Sequence, residues 1–351
     1  MRLLLITQVV DSTDSSLGFF HSWIDKLSRH FESIEVICLY EGVHNLPPNV
    51  HVYSLGKEKG SGSTMWYSLR FLSLIWCLRR KYDRVFVHMN QEYVLLGGLS
   101  WRSLGKRVYL WRNHYSGTFL TSISAFLSAH VFYTSAHSYT ARFRNALQMP
   151  VGVETDLFEN KSITRKDSSI LFFGRVTPSK KPDLLIEALG ILQKKAVSFT
   201  ASFYGPVRAS ELSYLESLKT TLAQHGLDTN VTFHDGVAHS KAPAVFAEHE
   251  IYVNLGDSGM YDKMLFEACA SGCLVVALSS DFKNALEHPV AFEATASSLA
   301  SALEKTVSLN QEEKNRMRQD QQTLVAQHSL QELVSKLSSV LLEDKYQPQA
   351  K

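Results

Sequence analysis

The stretch that most restricts the fold is IYVNLGDSGMYDKMLFEACASGCLVVAL, Ile251 to Leu278. Its first residues, Ile251 to Leu255, form an apolar run of strand composition. Gly256 to Gly259 make a small, polar loop, and Asp262 to Ser271 read as a helix that Gly272 ends. Leu274 to Leu278 then reads as a second buried strand. Strand, glycine-bearing loop, helix and strand make one βαβ step of a parallel sheet. Ligands of such sheets sit beyond the carboxyl ends of the strands, where this loop lies.

Glu267 breaks the apolar pattern of that helix, standing among Leu265, Phe266, Ala268, Cys269 and Ala270. A carboxylate is costly to bury unless something donates to it. It is either a helix-face group, in solvent or paired with Lys263 four residues back, or an acceptor for vicinal hydroxyls such as those of a ribose. The free N–H groups near Tyr261 to Met264 at the helix start suit a diphosphate.

With 351 residues the chain has room for two domains of ordinary size, and 45% hydrophobic with 20% charged residues is a globular composition. The opening MRLLLITQVV runs directly into Asp11 and Asp14, so it reads as a first strand rather than a signal peptide. Cys38, Cys77, Cys269 and Cys273 sit in apolar contexts without metal-ligand spacing, as expected of reduced, structural thiols in a cytoplasmic protein with no metal. The net charge of +2 hides an asymmetry: residues 1–155 carry 16 Lys and Arg against 10 Asp and Glu, the remainder 20 against 24. A mildly basic first half favours an anionic substrate or a membrane surface, and without a recognisable motif it does not indicate nucleic acid.

The order of segments predicts two α/β series. In the first, strands at Leu3–Val10, Ile34–Tyr40, Val50–Leu55, Arg84–His88, Lys106–Trp111 and Val131–Thr134 alternate with helices at Gly18–His30, Tyr67–Lys81, from Glu92, and at Ser138–Leu147. Glu159 to Ser169 has linker composition. The second series has strands at Ile170–Phe173, Phe199–Tyr204, Val231–Phe233, Ile251–Leu255 and Leu274–Leu278, and helices at Pro182–Lys195, Ser210–His225 and Ala242–Glu248. A short strand near Val290 and helices at Ser297–Ser308, Gln311–Gln327 and Leu330–Glu343 complete the chain. The fold class is therefore α/β, with doubly wound parallel sheets in two domains. Neither G-x-G-x-x-G after the first strand nor a Walker A pattern occurs, so nicotinamide-dehydrogenase and P-loop readings lose their support.

Further candidates lie at predicted strand ends. Gly174 and Arg175 follow a buried strand, and Lys180 and Lys181 precede Pro182 at a helix start. A pair of cations there can neutralise a leaving diphosphate without a metal, or can be ordinary surface charges. His114 follows the strand ending at Trp111, and Gly18 stands in the first strand-to-helix loop, where it either admits a substrate or simply makes a turn.

Four pieces together, MPVGVETDLF (Met149 to Phe158), FFGR…SKK (Phe172 to Lys181), VTFHDGV (Val231 to Val237) and SGMYDKMLFEACASGCLVVA (Ser258 to Ala277), resemble the retaining family 4 (group 1) glycosyltransferases in order and spacing. The resemblance covers nearly the whole chain. It implies the GT-B fold: a Rossmann-like acceptor-side domain over residues 1–158, a nucleotide-sugar-binding domain over 159–328, and a last helix within 329–351 returning to the first domain. By position, Arg175 and Lys180 correspond to the pair on the donor diphosphate, and Glu267 to the second glutamate of the E-x7-E motif, on the ribose. His114 corresponds to the first-domain histidine beside the reacting centre, and Gly18 to the loop near the acceptor and phosphates. Gly174, Gly259, Met260, Tyr261 and Asp262 complete the implied nucleotide-sugar-binding set.

One departure stands out. The first glutamate of E-x7-E is Gly259 here. Asp262 is either a replacement acceptor for donor-sugar hydroxyls or an ordinary N-cap. Glu154 also stands where the crossover more often has Asp. The resemblance implies sugar transfer with retention from a nucleotide-sugar donor, without cofactor or metal, to a glycan or lipid-linked acceptor in cell-surface polysaccharide or glycolipid synthesis. No D-x-D occurs, which agrees with a metal-independent route. The rivals are a catalytically silent nucleotide-sugar-binding subunit, suggested by Gly259, and a sugar-nucleotide epimerase of the same fold. The apolar, basic-ended segment Tyr67 to Lys81 is either a helix covering a sheet or a peripheral contact with the inner face of a membrane.

Overall fold

The computed structural model describes residues 1–14, 16–60, 62–159, 163–258, 261–287 and 289–343. The chain divides into two compact units, Met1–Gly152 joined by the segment from Leu330 onward, and Val153–Ser329.

The first unit runs β1 (Arg2–Val10), α1 (Phe19–Ser28), β2 (Ser33–Glu41), β3 (Val50–Ser54), α2 (Thr64–Leu78), β4 (Arg84–His88), α3 (Gln91–Ser103), β5 (Arg107–Trp111), α4 (Phe119–Leu127), β6 (His130–Tyr133) and β7 (Ala146–Gln148). Its seven strands are all parallel, in the order β3-β2-β1-β4-β5-β6-β7. Both faces are covered, which is why β1 reads as an unbroken apolar run: Leu3 and Leu5 join the core under α1, while Leu4 and Ile6 join the core under α2, α3 and α4.

The second unit runs α5 (Thr155–Phe158), β8 (Lys166–Phe173), α6 (Pro182–Lys194), β9 (Thr200–Tyr204), α7 (Leu212–Gln224), β10 (Val231–His234), α8 (Ala242–Glu248), β11 (His249–Asn254), α9 (Lys263–Ala270), β12 (Leu274–Ala277), α10 (Ser280–Asn284), β13 (Val290–Ala291), α11 (Ala296–Val307) and α12 (Gln311–Ala326). Its six strands are parallel in the order β10-β9-β8-β11-β12-β13. Within it, buried Glu250 accepts from Ser168 N (2.8 Å) and Lys314 Nζ (2.9 Å), tying α12 to the sheet.

The last helix, α13 (Leu330–Glu343), belongs to the first unit. Leu330, Leu333, Val334, Leu337 and Leu341 share a core with Trp23 and Leu27 of α1. Gly152 lies at this junction with φ +80°, and a Cβ there would stand 2.3 Å from Leu333 Cδ2 and 2.7 Å from Trp23 Cζ2. Only glycine fits both the backbone and the space.

Several expectations need correction. Ser138–Leu147 is not a helix: a short 3-10 turn at Tyr139–Arg142 leads to strand β7, and Asn145 Nδ2 donates to Ala125 O and Ser128 O, both at 2.9 Å. Pairing with β6 overrides the helical propensity of this segment. Helices α4 and α10 had no counterpart in the sequence reading. The expected linker at 159–169 is cut short, since Lys166–Ser169 already belong to β8. Residues 153–158, expected with the first domain, form a bridge with Ser329 and pack on α8 and α9 in the second unit. Cys38, Cys269 and Cys273 are buried, and burial pushes the Cys273 thiol up to about 12, but Cys77 is exposed on α2. Among the described residues no helix is long and apolar enough to cross a membrane.

Candidate functional site

The second unit gathers its candidates at the carboxyl ends of β8, β9 and β11. After β8 the chain turns at Gly174, whose N–H donates to Tyr204 O at 2.9 Å, and Val176 N donates to Pro206 O at 3.3 Å. This zipper brings the β9 loop so close that a Cβ on Gly205 would lie 1.8 Å from Gly174 O. Gly205 is thus a requirement of the site that sequence reading missed, its only signal being a glycine just past a strand. The two loops frame a shallow hollow lined by Arg175, Thr177, Ser179, Arg208 and Glu211. Thr177 Oγ1 donates to Glu211 Oε1 at 3.0 Å. Arg175 is exposed, and among the described residues it makes no hydrogen bond or ion pair, so its guanidinium is free for an anion.

The two lysines that follow are held by two aspartates from the loop after β11. Lys180 Nζ stands 3.1 Å from Asp262 Oδ2, and Lys181 Nζ stands 2.7 Å from Asp257 Oδ1. Lys181 adopts the left-handed conformation (φ 54°, ψ 40°) at the entry to α6, with Pro182 in the first helical turn. A non-glycine residue there carries strain on the order of 1 kcal/mol, offset by the aspartate contact.

Asp262 fills the N-cap role weighed for it. Its Oδ1 accepts from Met264 N at 3.2 Å, while Oδ2 faces Lys180 and, at 3.4 Å, Asn254 Nδ2. The cap therefore orients a cation and a helix start toward the same place. Glu267 is buried one turn further along α9, with Oε1 3.4 Å from Lys263 Nζ. The Lys263 ammonium is out of contact with solvent, and burial lowers its pKa against the opposing pull of Glu267 and Glu154. Glu154 faces His239 Nε2 at 3.7 Å. Half-buried Lys263, Glu154 and His239 thus belong to a polar group beside buried Glu267 that sequence reading did not assemble, because its members lie more than 80 residues apart at the extremes.

Tyr261 packs edge-on against Phe266 and His328 and donates its hydroxyl to Asp281 O at 3.3 Å. Its side chain thus stabilises the loop before α9. Gly259 and Met260 lie outside the described residues.

The first unit holds the other two candidates, both at carboxyl ends of its strands. His114 follows β5, and its Nδ1 accepts from Ser116 N at 3.1 Å while its ring stacks on Tyr115. Ser116 Oγ and O also lie 2.9 and 3.3 Å from the same Nδ1, so Ser116 fixes the ring, and Nε2 carries the proton when Nδ1 accepts. The loop is anchored by Asn113 Oδ1, which accepts from Ser138 Oγ at 2.6 Å and from Thr134 N at 3.2 Å. Gly18 begins α1, and a Cβ on it would lie 2.4 Å from Asp14 O, so the loop packs on itself there. His88, at the end of β4, is a core residue instead: it stacks on Phe20 at 3.8 Å, and burial lowers its pKa to about 3.

Residues 167–308 match the family model described as "Glycosyl transferases group 1". A curated relative, the UDP-N-acetylglucosamine–peptide N-acetylglucosaminyltransferase GtfA subunit of Streptococcus parasanguinis, is 24% identical over 182 residues, 50% of this chain. The chain spans about a third of that relative's length, the match covering 34% of it. Among solved structures, HepE of Anabaena in complex with UDP-glucose matches with a TM-score of 0.76 at 15% identity, over 97% of this chain and 99% of that one. A sucrose-phosphate synthase of Thermosynechococcus elongatus matches with a TM-score of 0.77 at 12% identity, over 97% and 98%. A glycosyltransferase of Rickettsia africae gives 0.78 at 14% identity, over 98% and 99%. The second unit thus carries a group 1 glycosyl transferase domain over residues 167–308, and the two parallel sheets of the chain have the GT-B fold of these structures.

Proposed function

We propose that the protein transfers a sugar, with retention and without a metal, from a nucleotide diphosphate sugar to a glycan or lipid-linked acceptor at the inner face of a membrane. The observation that carries this reading is Lys180 held on the helix cap Asp262 with buried Glu267 one turn on, beside exposed Arg175 in the loop after β8 that also bears Lys180. Arg175 and Lys180 would neutralise the diphosphate as it leaves, joined by the positive end of α9. Glu267 would accept from the ribose hydroxyls, with Lys263 Nζ 3.4 Å from its carboxylate fixing its place on the helix. The names of the relatives, one a UDP-N-acetylglucosamine enzyme and one a UDP-glucose complex, favour UDP as the carrier.

Gly259 in place of the family glutamate favours one second reading, a nucleotide-sugar-binding subunit that does not turn over. Calorimetry with UDP and a panel of sugar nucleotides, followed by assay of free UDP release, separates the two. Binding with release supports the enzyme, and binding without release under any acceptor supports the silent subunit. Failure of Glu267→Ala and Arg175→Ala to weaken UDP binding would remove the site.

A further inference from the structure

Helices α2, α3 and α4 form one layer over the sheet of the first unit, with α3 packed against both neighbours. Their inner sides, including Phe71, Ile75, Val94, Trp101 and Ala125, enter a single core. The outer side of such a layer is ordinarily polar. Here it is not. Of the sixteen large apolar side chains exposed among the described residues, eleven fall between Met65 and Phe126. Met65, Leu69 and Trp76 share the outward side of α2, at 73%, 61% and 48% exposure. Leu99 of α3 is 70% exposed, and Phe119 and Phe126 of α4 are 79% and 75% exposed. Exposed large apolar side chains gathered on three adjacent helices mark an interaction site rather than a solvated helix face.

The charge along this stretch is mostly of one sign, although exposed Glu58, bonded to Ser54, stands close to Arg70. Residues 59–153 contain twelve Lys and Arg but only two acids, Asp83 and Glu92. Asp83 is already bound to Arg2 at 2.9 Å. Arg70 lies over the Trp66 ring at 5.2 Å, and Arg102 over the Phe126 ring at 5.8 Å. Cations laid against aromatic rings at the rim of an apolar patch match the boundary of an anionic bilayer, where rings enter the acyl edge and guanidinium groups meet the headgroups. A second copy of this face would set like charges against each other, which disfavours a symmetric dimer through it.

We propose that the outer face of α2, α3 and α4 docks on an anionic lipid membrane. The proposal deepens the reading of a lipid-linked acceptor, and it concerns a surface that carries none of the donor-site residues.

The test is co-sedimentation of the full chain with vesicles, in the absence of any sugar nucleotide. Equimolar phosphatidylglycerol–phosphatidylcholine vesicles should bind it, with a blue shift of tryptophan emission. Pure phosphatidylcholine vesicles should not, and added salt should release the bound protein. Replacing Arg70, Arg102 and Arg79, which lies over the Trp76 ring at 5.9 Å, together by Gln should weaken binding at least about tenfold, since each cation near such a surface contributes roughly fivefold. Leu99→Ser with Phe126→Ser should abolish the emission shift while leaving the melting temperature in place. Should a variant melt early, the salt and lipid dependence of the unaltered chain decides alone. Absence of binding to anionic vesicles, equal binding to neutral ones, or indifference to both sets of substitutions would overturn the proposal. So would a dimer in sedimentation velocity that the Leu99→Ser, Phe126→Ser chain dissolves. UDP calorimetry on the same preparation reports the donor site separately, so either idea can fail while the other stands.

Discussion

Lys263 Nζ lies 3.4 Å from Glu267 Oε1, one turn apart on α9, and the ammonium is sealed from solvent. Each charge is tolerable there only because the other is present. Lys263→Met should therefore cost about 3 kcal/mol of stability, an uncompensated buried carboxylate being the cause. Glu267→Gln keeps the shape of the side chain but loses the charged acceptor. It should also lose stability, because Lys263 loses its main opposing charge, and bind UDP about 10- to 100-fold more weakly, the value of charge-assisted hydrogen bonds. Thermal melts with and without UDP distinguish the two effects.

Lys180 and Asp262 should separate in the same way. Asp262→Ala removes both the cap of α9 and the partner of Lys180, and should lower stability by about 1 kcal/mol or somewhat more. Lys180→Ala should change the melting temperature little, because the pair is only half-buried, yet cut turnover severely. A Lys180→Ala chain with undiminished turnover would take Lys180 out of the diphosphate site.

Gly205→Ala should disrupt the site without touching a charge. The new methyl would collide with the carbonyl of Gly174 and push the loop bearing Arg175 outward. A loss of about 1–3 kcal/mol, as for other overpacked positions, should accompany weaker UDP binding. Calorimetry and a denaturant melt measure both.

Acidification should destabilise both units through buried histidines. His88 is lowered from 6.5 to about 3 and His328 from 6.5 to about 4, each by burial. A folded-state pKa below the unfolded one means the unfolded chain takes up protons first. Stability is then full above about 6.5 and falls as pH drops toward 3 to 4. His88→Phe, which keeps a ring against Phe20, should flatten part of that fall. Melts between pH 4 and 7 measure it, and an unchanged slope would show that His88 does not titrate on unfolding.

Turnover should survive EDTA. The proposed chemistry assigns the departing charge to Arg175, Lys180 and the start of α9, with no step that needs a divalent ion. An absolute requirement for added metal would reassign that role.

What could be read from residue order alone was whatever depends on local period and composition. The Ile251–Leu278 step, the unbroken apolar strands such as Leu3–Ile6, and the last helix at Leu330–Glu343 all announce themselves within a few turns of chain. Glu267 was visible for the same reason, as a charge interrupting an apolar stripe. The tertiary structure decided what depends on neighbours distant in sequence. It made β7 of a segment with helical composition, because an edge of the first sheet was open beside β6. It chose Asp262 as cap and anchor for Lys180, 82 positions away, and set Glu154, His239 and Lys263 around Glu267. Propensity is a property of a few consecutive residues, worth tenths of a kcal/mol each, whereas a buried charge is satisfied only by whichever partners the packed chain delivers to it.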